Sequence, residues 1–214
     1  MPDITWMGHA CFRLRGKDAT IITDPFDRGV GLEPPRQRAD IVTVSRDDPY
    51  QNALSGIKGE PRVLHAPGEY EVKGVFITGI GTFADAKKGA ERGKNTIFLY
   101  EFDDLVICHL GGLGHTLTSA QQEALSNVSV LLVPVGAPHL LAPERAVEVI
   151  AQIEPSLVIP MMYQTGPETI PLESLERFAK EMGMKEWTTQ DKLVIKGKSD
   201  LPETTQVVVL EAKA

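Results

Sequence analysis

The stretch Asp40 to Gln51, Asp-Ile-Val-Thr-Val-Ser-Arg-Asp-Asp-Pro-Tyr-Gln, constrains this chain more than any other. Ile41 to Val44 is a β-branched run of strand length, and it gives way at once to charge, Pro49 and polar side chains. A strand that empties into such a cluster is where an α/β protein sets its chemistry, because a rigid sheet aims the residues at its carboxyl end. A solvated turn around Asp47, Asp48 and Pro49 is the plainer alternative. The rest of the chain weighs between them.

Ahead of this stretch, Asp3 to Trp6, Cys11 to Leu14 and Ala19 to Thr23 read as a three-stranded meander broken by Gly8 and by Gly16-Lys17-Asp18. His9 and Asp24 fall at the strand ends. Phe26 to Ala39, with Gly29, Gly31, Pro34 and Pro35, has no apolar period and reads as a long loop. Asn52 to Ile57 has room for a turn or two of helix. Short strands are expected over Arg62 to His65, Tyr70 to Val72 and Val75 to Ile80. A second long loop, Gly81 to Lys94, carries Lys87, Lys88, Arg92 and Lys94 and reads as solvated and mobile.

Asn95 to Phe102 and Leu105 to Leu110 form a hairpin about Asp103-Asp104, and the second strand runs into Gly111-Gly112-Leu113-Gly114-His115. Glycine there lets backbone approach closely. Thr118 and Gln121 have capping-box spacing, opening a helix to about Ser126. A buried strand, Val128 to Val133, follows. Pro143 begins a helix with Ala146, Val149, Ile150 and Ile153 on one face. Leu157 to Ile159 is a strand that delivers Pro160-Met161-Met162-Tyr163. Leu172, Leu175, Phe178 and Met182 stripe a last helix ending at Gly183, and strands close the chain at Leu193 to Lys196 and Gln206 to Leu210. About a dozen strands with three or four helices suit two packed sheets with helices outside them. One domain over residues 1–214 is expected.

Charge narrows the partners. With 22 Lys and Arg against 29 Asp and Glu, the net charge of -7 argues against a phosphate-backbone footprint, so nucleic acid is not expected. The start Met-Pro-Asp-Ile-Thr-Trp lacks the basic and apolar pattern of a leader, and cytoplasmic residence is expected. Val128 to Val135 falls far short of the roughly 20 apolar residues that span a bilayer, so no membrane association is expected. Cys11 and Cys108 lie in apolar strand segments and read as reduced, buried and structural.

Gly-His-Ala-Cys-Phe, Thr-Asp-Pro, Asp-Ile-Val-Thr-Val-Ser, Pro-Gly-Glu-Tyr-Glu-Val, Arg-Gly-Lys-Asn-Thr-Ile-Phe, His-Leu-Gly-Gly-Leu-Gly-His and Ile-Pro-Met-Met-Tyr follow one another in that order. Together they resemble a metallo-β-lactamase-fold hydrolase, of the branch similar to the L-ascorbate-6-phosphate lactonases. The resemblance implies an α/β fold, a four-layer αβ/βα sandwich with a one- or two-metal site at one edge. Its motif His-x-His-x-Asp-His would fall on Arg46, Asp47, Asp48, Pro49, Tyr50 and Gln51. A later loop histidine would fall on Ala84, the aspartate of His-Leu-Gly-Asp on Gly111, and the histidine of Pro-Met-His-Tyr on Met162. His9, Asp24, His109 and His115 remain of the pattern.

Zinc in such sites needs three or more imidazole or carboxylate ligands. Of the motif positions only Asp48 still offers one, and Arg46 sets a permanent positive charge beside any cation. Without a metal the family's hydrolysis lacks its activated water. The preferred reading is therefore a member that has lost its metal ligands, takes no cofactor, and serves binding, regulation or assembly. Its pocket would draw on His9, Asp24, Arg46, Asp48, Tyr50, Gln51, His109, Gly111, His115 and Met162, and would accept a small anionic ligand. Arg46 would either neutralise Asp48 or Asp24 or point into solvent and pair with nothing. The alternatives are a hydrolase of a small phosphorylated or lactone-type substrate with a rearranged metal site, and metal-free acid/base catalysis by His109 with Asp24 or Asp48. Oligomeric state is left open.

Overall fold

A computed structural model describes residues 2–213. The first strands are β1 (Asp3–Gly8), β2 (Cys11–Arg15), β3 (Thr20–Thr23), β4 (Ile41–Thr43) and β5 (Arg62–Leu64). Then come β6 (Gly68–Val72), β7 (Val75–Phe83), β8 (Lys94–Phe102) and β9 (Leu105–His109). Helices enter with α1 (Ser119–Ala124), β10 (Val130–Pro134), α2 (Pro143–Ile153), β11 (Leu157–Met161) and α3 (Leu175–Glu181). Four short strands finish the chain: β12 (Thr189–Gln190), β13 (Leu193–Val194), β14 (Gln206–Val207) and β15 (Val209–Leu210).

Among the described residues two large sheets are formed, in the orders β13-β1-β2-β3-β4-β5 and β14-β11-β10-β9-β8-β7-β6, with β12 and β15 as a separate two-stranded pair. In each, an antiparallel meander passes into a parallel run: β3, β4 and β5 in the first, β9, β10, β11 and β14 in the second. Parallel neighbours require crossovers, which α1 and α2 supply in the second sheet. Parallel strands also end on the same side. This brings Asp24, Ser45, His109 and Met162 to strand ends, where ligands bind in open α/β sheets.

Packing follows from the apolar runs. Ile4, Trp6, Phe12 and Leu14 of the first sheet share one core with Phe98, Tyr100, Leu131 and Ile159 of the second. Thr43 Oγ1 and Tyr100 Oη, 2.6 Å apart, and the bond from Thr96 N–H to Ser45 O, 2.9 Å, join the sheets near the β4 end. The opposite face of the first sheet, through Cys11, Ile22 and Val42, is covered by Phe26, Val30 and Leu32. Those residues belong to the long loop, whose glycines and prolines hold it to a single 3-10 turn, Arg28–Val30, instead of a covering helix. Asn52 to Ile57 likewise holds only the 3-10 turn Leu54–Gly56. Both cysteines are buried and free. Among the described residues no helix is long and apolar enough to cross a membrane.

Candidate functional site at the β4 edge

Asp24 sits one residue past β3 with φ of 38° and is 1% exposed. Its Oδ1 accepts the Ser45 N–H at 2.7 Å, and its Oδ2 accepts Ser45 Oγ at 2.6 Å and Gln51 Nε2 at 2.8 Å. Gln51 Nε2 also reaches Ser45 Oγ at 3.0 Å. Burial raises the Asp24 carboxyl above its ordinary range, while His109, Ser45 and Gln51 oppose the rise. The residues after β4 thus fold back onto the residue after β3, and the carboxylate is met entirely by protein donors.

His109, the last residue of β9, is fully buried. Its Nε2 faces the Ala10 carbonyl at 2.8 Å, and its Nδ1 accepts the Gly111 N–H at 3.2 Å. A carbonyl only accepts and an amide N–H only donates, so Nε2 carries the proton and the ring is neutral. Burial, the larger effect, lowers its pKa, although Asp24 and the Ala10 bond pull the other way. The 4.0 Å approach of His109 Nδ1 to Asp24 Oδ2 is accordingly not an ion pair. With both nitrogens engaged, His109 is not available as a general base.

His9 and Met162 meet across the sheets. Both have left-handed backbone, with φ of 49° and 58°, and the His9 carbonyl accepts from Met162 N–H at 3.2 Å and from Trp6 Nε1 at 2.9 Å. Three non-glycine residues, His9, Asp24 and Met162, thus hold a sparsely populated conformation at one edge, where strain commonly accompanies function. The His9 Nδ1 is buried and unpartnered. Burial pushes the His9 imidazole down to about 4, with Asp48 and Glu168 opposing and Arg46 reinforcing.

Arg46 Nη2 lies 3.7 Å from Asp48 Oδ2 and donates to the Arg92 carbonyl at 3.2 Å. The expected pairing of Arg46 is thus with Asp48, since Asp24 is enclosed by Ser45 and Gln51. Its stem lies over Gly112, where a Cβ would come within 2.5 Å of Arg46 Cδ. Asp48 Oδ1 also accepts the Tyr50 N–H at 3.0 Å, closing a turn that presents the half-buried Tyr50 against Gly29. Gly111 has φ of +59°, and a Cβ there would stand 2.5 Å from Ser45 Oγ and 2.7 Å from Asn95 Oδ1. His115 stands apart, its Nδ1 bonded to the Thr116 carbonyl at 2.7 Å and its Nε2 accepting Phe83 N–H at 3.3 Å.

Beside this edge opens a cavity of about 1040 Å³ between the ends of β4 and β5 and the facing parts of β7 and β8. Of the ten candidate residues only Arg46 lines it. Asn95 was not singled out in the sequence, yet its side chain ties Thr82 Oγ1, the Leu110 carbonyl and the Gly112 N–H together at 2.8, 3.0 and 2.8 Å. Asp85 was passed over as well. Its carboxylate accepts the N–H groups of Lys87, Gly89, Glu91 and Arg92 at 2.7, 2.9, 3.2 and 2.7 Å, giving the loop expected to be mobile a fixed internal frame. An Asp followed by Gly and charged residues was the only available signal.

Two mixed sheets with left-handed residues and a glycine-rich β9 exit along one edge define a metallo-β-lactamase fold. The chain belongs to the Beta-lactamase superfamily domain family, which matches residues 3–162. A metallo-β-lactamase superfamily protein of Thermotoga maritima is 38% identical over 100% of both chains, with a TM-score of 0.83. Proteins named UPF0173 metal-dependent hydrolase from Methanopyrus kandleri and Methanoculleus marisnigri are 25% and 28% identical, over 85% and 83% of this chain and 93% and 87% of their own.

Those names overturn the expectation of no cofactor, because metal dependence is what the relatives are named for. The donor set at the β4 end itself does not fit a divalent ion. Arg46 brings a permanent charge, Met162 a weak thioether acceptor, and Gly111 no side chain. Among the described residues no three His, Cys, Asp or Glu side chains gather as a metal-holding group.

Proposed function

We propose that the β4 edge of this chain binds rather than hydrolyses, making it a non-catalytic member of a hydrolase superfamily with a binding, regulatory or assembly role. Arg46 carries this reading. It stands where the resemblance puts the first motif histidine, its guanidinium pairs with Asp48 at 3.7 Å, and a cation held there repels a divalent ion. The enclosure of Asp24 and His109 supports the same view: both are buried, the carboxylate already takes three protein donors, and both ring nitrogens of His109 are engaged.

One observation favours the second reading, a hydrolase of a small phosphorylated or lactone-type substrate with a rearranged metal site, as the lactonase-like resemblance implies. It is the unpartnered His9 Nδ1. The deciding assay supplies the purified protein in turn with Zn²⁺, Mn²⁺ and Fe²⁺ and offers sugar-phosphate lactones and bis(p-nitrophenyl) phosphate. No turnover above metal-only buffer is expected. Metal-supported turnover that disappears in His9→Ala would overturn the binding reading.

A further inference from the structure

The cavity beside the β4 edge is lined by three cations, Arg46, Arg92 and Lys94, and by apolar groups including Leu54, Val63 and Phe83, with Phe83 paired to Lys94 across β7 and β8. We propose that it binds a small amphipathic organic anion, with a carboxylate or phosphate head held by Arg46, Arg92 and Lys94 and an apolar body lying on Leu54, Val63 and Phe83.

Charge is the first support. The chain as a whole carries -7, yet three of its cations meet at one opening. The only acidic lining residue is Asp47, whose Oδ1 already accepts from Asn52 Nδ2 at 2.8 Å. None of the ion pairs among the described residues involves Arg92 or Lys94. Arg92 and Lys94, without carboxylate partners and beside Arg46 at the mouth of a cleft, set up a positive potential that draws anions.

Preorganisation is the second. Arg92 is fixed through its backbone from two directions, its N–H to Asp85 Oδ2 at 2.7 Å and its carbonyl to Arg46 Nη2 at 3.2 Å. Lys94 opens β8, so binding does not have to order the backbone that carries either cation, which lowers its entropic cost. The third support is composition: a few charges among apolar groups is the usual make-up of a small-molecule site, and the volume of about 1040 Å³ is of that order. This inference does not depend on whether the β4 edge hydrolyses anything.

The test is isothermal titration calorimetry of the full chain with octyl phosphate and with octanoate, each below its micellar concentration, against inorganic phosphate and octanol as controls. Saturable binding of at least one amphipathic anion is expected, with both controls at least tenfold weaker. The double variant R92E/K94E should lose at least tenfold in affinity, about 1.4 kcal/mol, while keeping its melting temperature because both residues are exposed. Binding of octanol or of phosphate alone as tightly as the amphipathic anion would overturn the proposal. So would undiminished binding by the double variant, or no saturable binding by either anion. The hydrolysis assay reads turnover and not affinity, so failure of either reading is seen separately.

Discussion

Replacing Gly111 with alanine asks whether the β4 edge is as crowded as it looks. At φ of +59° a side chain costs about 1–2 kcal/mol in backbone strain alone. The new methyl would also fall onto Ser45 and within 2.7 Å of Asn95 Oδ1. Neither neighbour can step aside freely. Ser45 Oγ is bonded to Asp24 and Gln51, and Asn95 Oδ1 accepts the Gly112 N–H at 2.8 Å. Displacing either gives up a buried hydrogen bond, about 1 kcal/mol. Strain and crowding together come to about 3 kcal/mol, which in a chain of this size lowers the melting temperature by roughly 6–12 °C.

The control is Gly74→Ala. Gly74 has φ of +75° with no atom within 4 Å of its would-be Cβ, so it suffers the strain without the clash. It should lose only about 1 kcal/mol, roughly 2–4 °C. Melting both variants by circular dichroism at one protein concentration isolates the crowding as the difference between them. If Gly111→Ala melts no lower than Gly74→Ala, the close approach of Ser45 and Asn95 is not there.

The remaining predictions concern charge. Folded His9 titrates at about 4 against 6.5 for the unfolded ring, so between those values the unfolded state binds more protons. Its contribution is present above pH 6.5 and is lost as pH falls towards 4, about 3 kcal/mol in all. Urea unfolding of the parent minus His9→Asn, a residue that tolerates the left-handed backbone, should show that loss, and a flat difference would contradict it. Asp24 has the opposite sign, since its raised pKa favours the fold at low pH and loses stability as pH rises through the carboxylate range; the subtraction removes it. Arg46→Met should lose less than about 1 kcal/mol, as befits a partly exposed pair with Asp48, and a variant as stable as its parent would end the pairing account.

What could be read in advance follows from the range of the interactions concerned. Strands β1, β2 and β3 and the buried face of α2, Ala146, Val149, Ile150 and Ile153, are written in local hydrophobic period, and the Thr118–Gln121 capping box in a spacing of three. Strand β12 was missed because Thr189 and Gln190 are polar, exposed and recruited only by pairing with β15. The β4 edge was legible as a place but not as a network. Asp24, Ser45 and Gln51 are separated by 21 and 6 residues, and nothing in their spacing says that one carboxylate takes three donors. Position 111 makes the same point: the resemblance sets a glycine where an aspartate is expected, and only its packing against Ser45 and Asn95 shows that the backbone there has no room for a side chain. A Cβ at position 111 meets two hydrogen-bonded neighbours at once, so a larger residue there needs both to move. An aspartate at position 111 would therefore have to displace Ser45 and Asn95 as well as adopt the left-handed backbone.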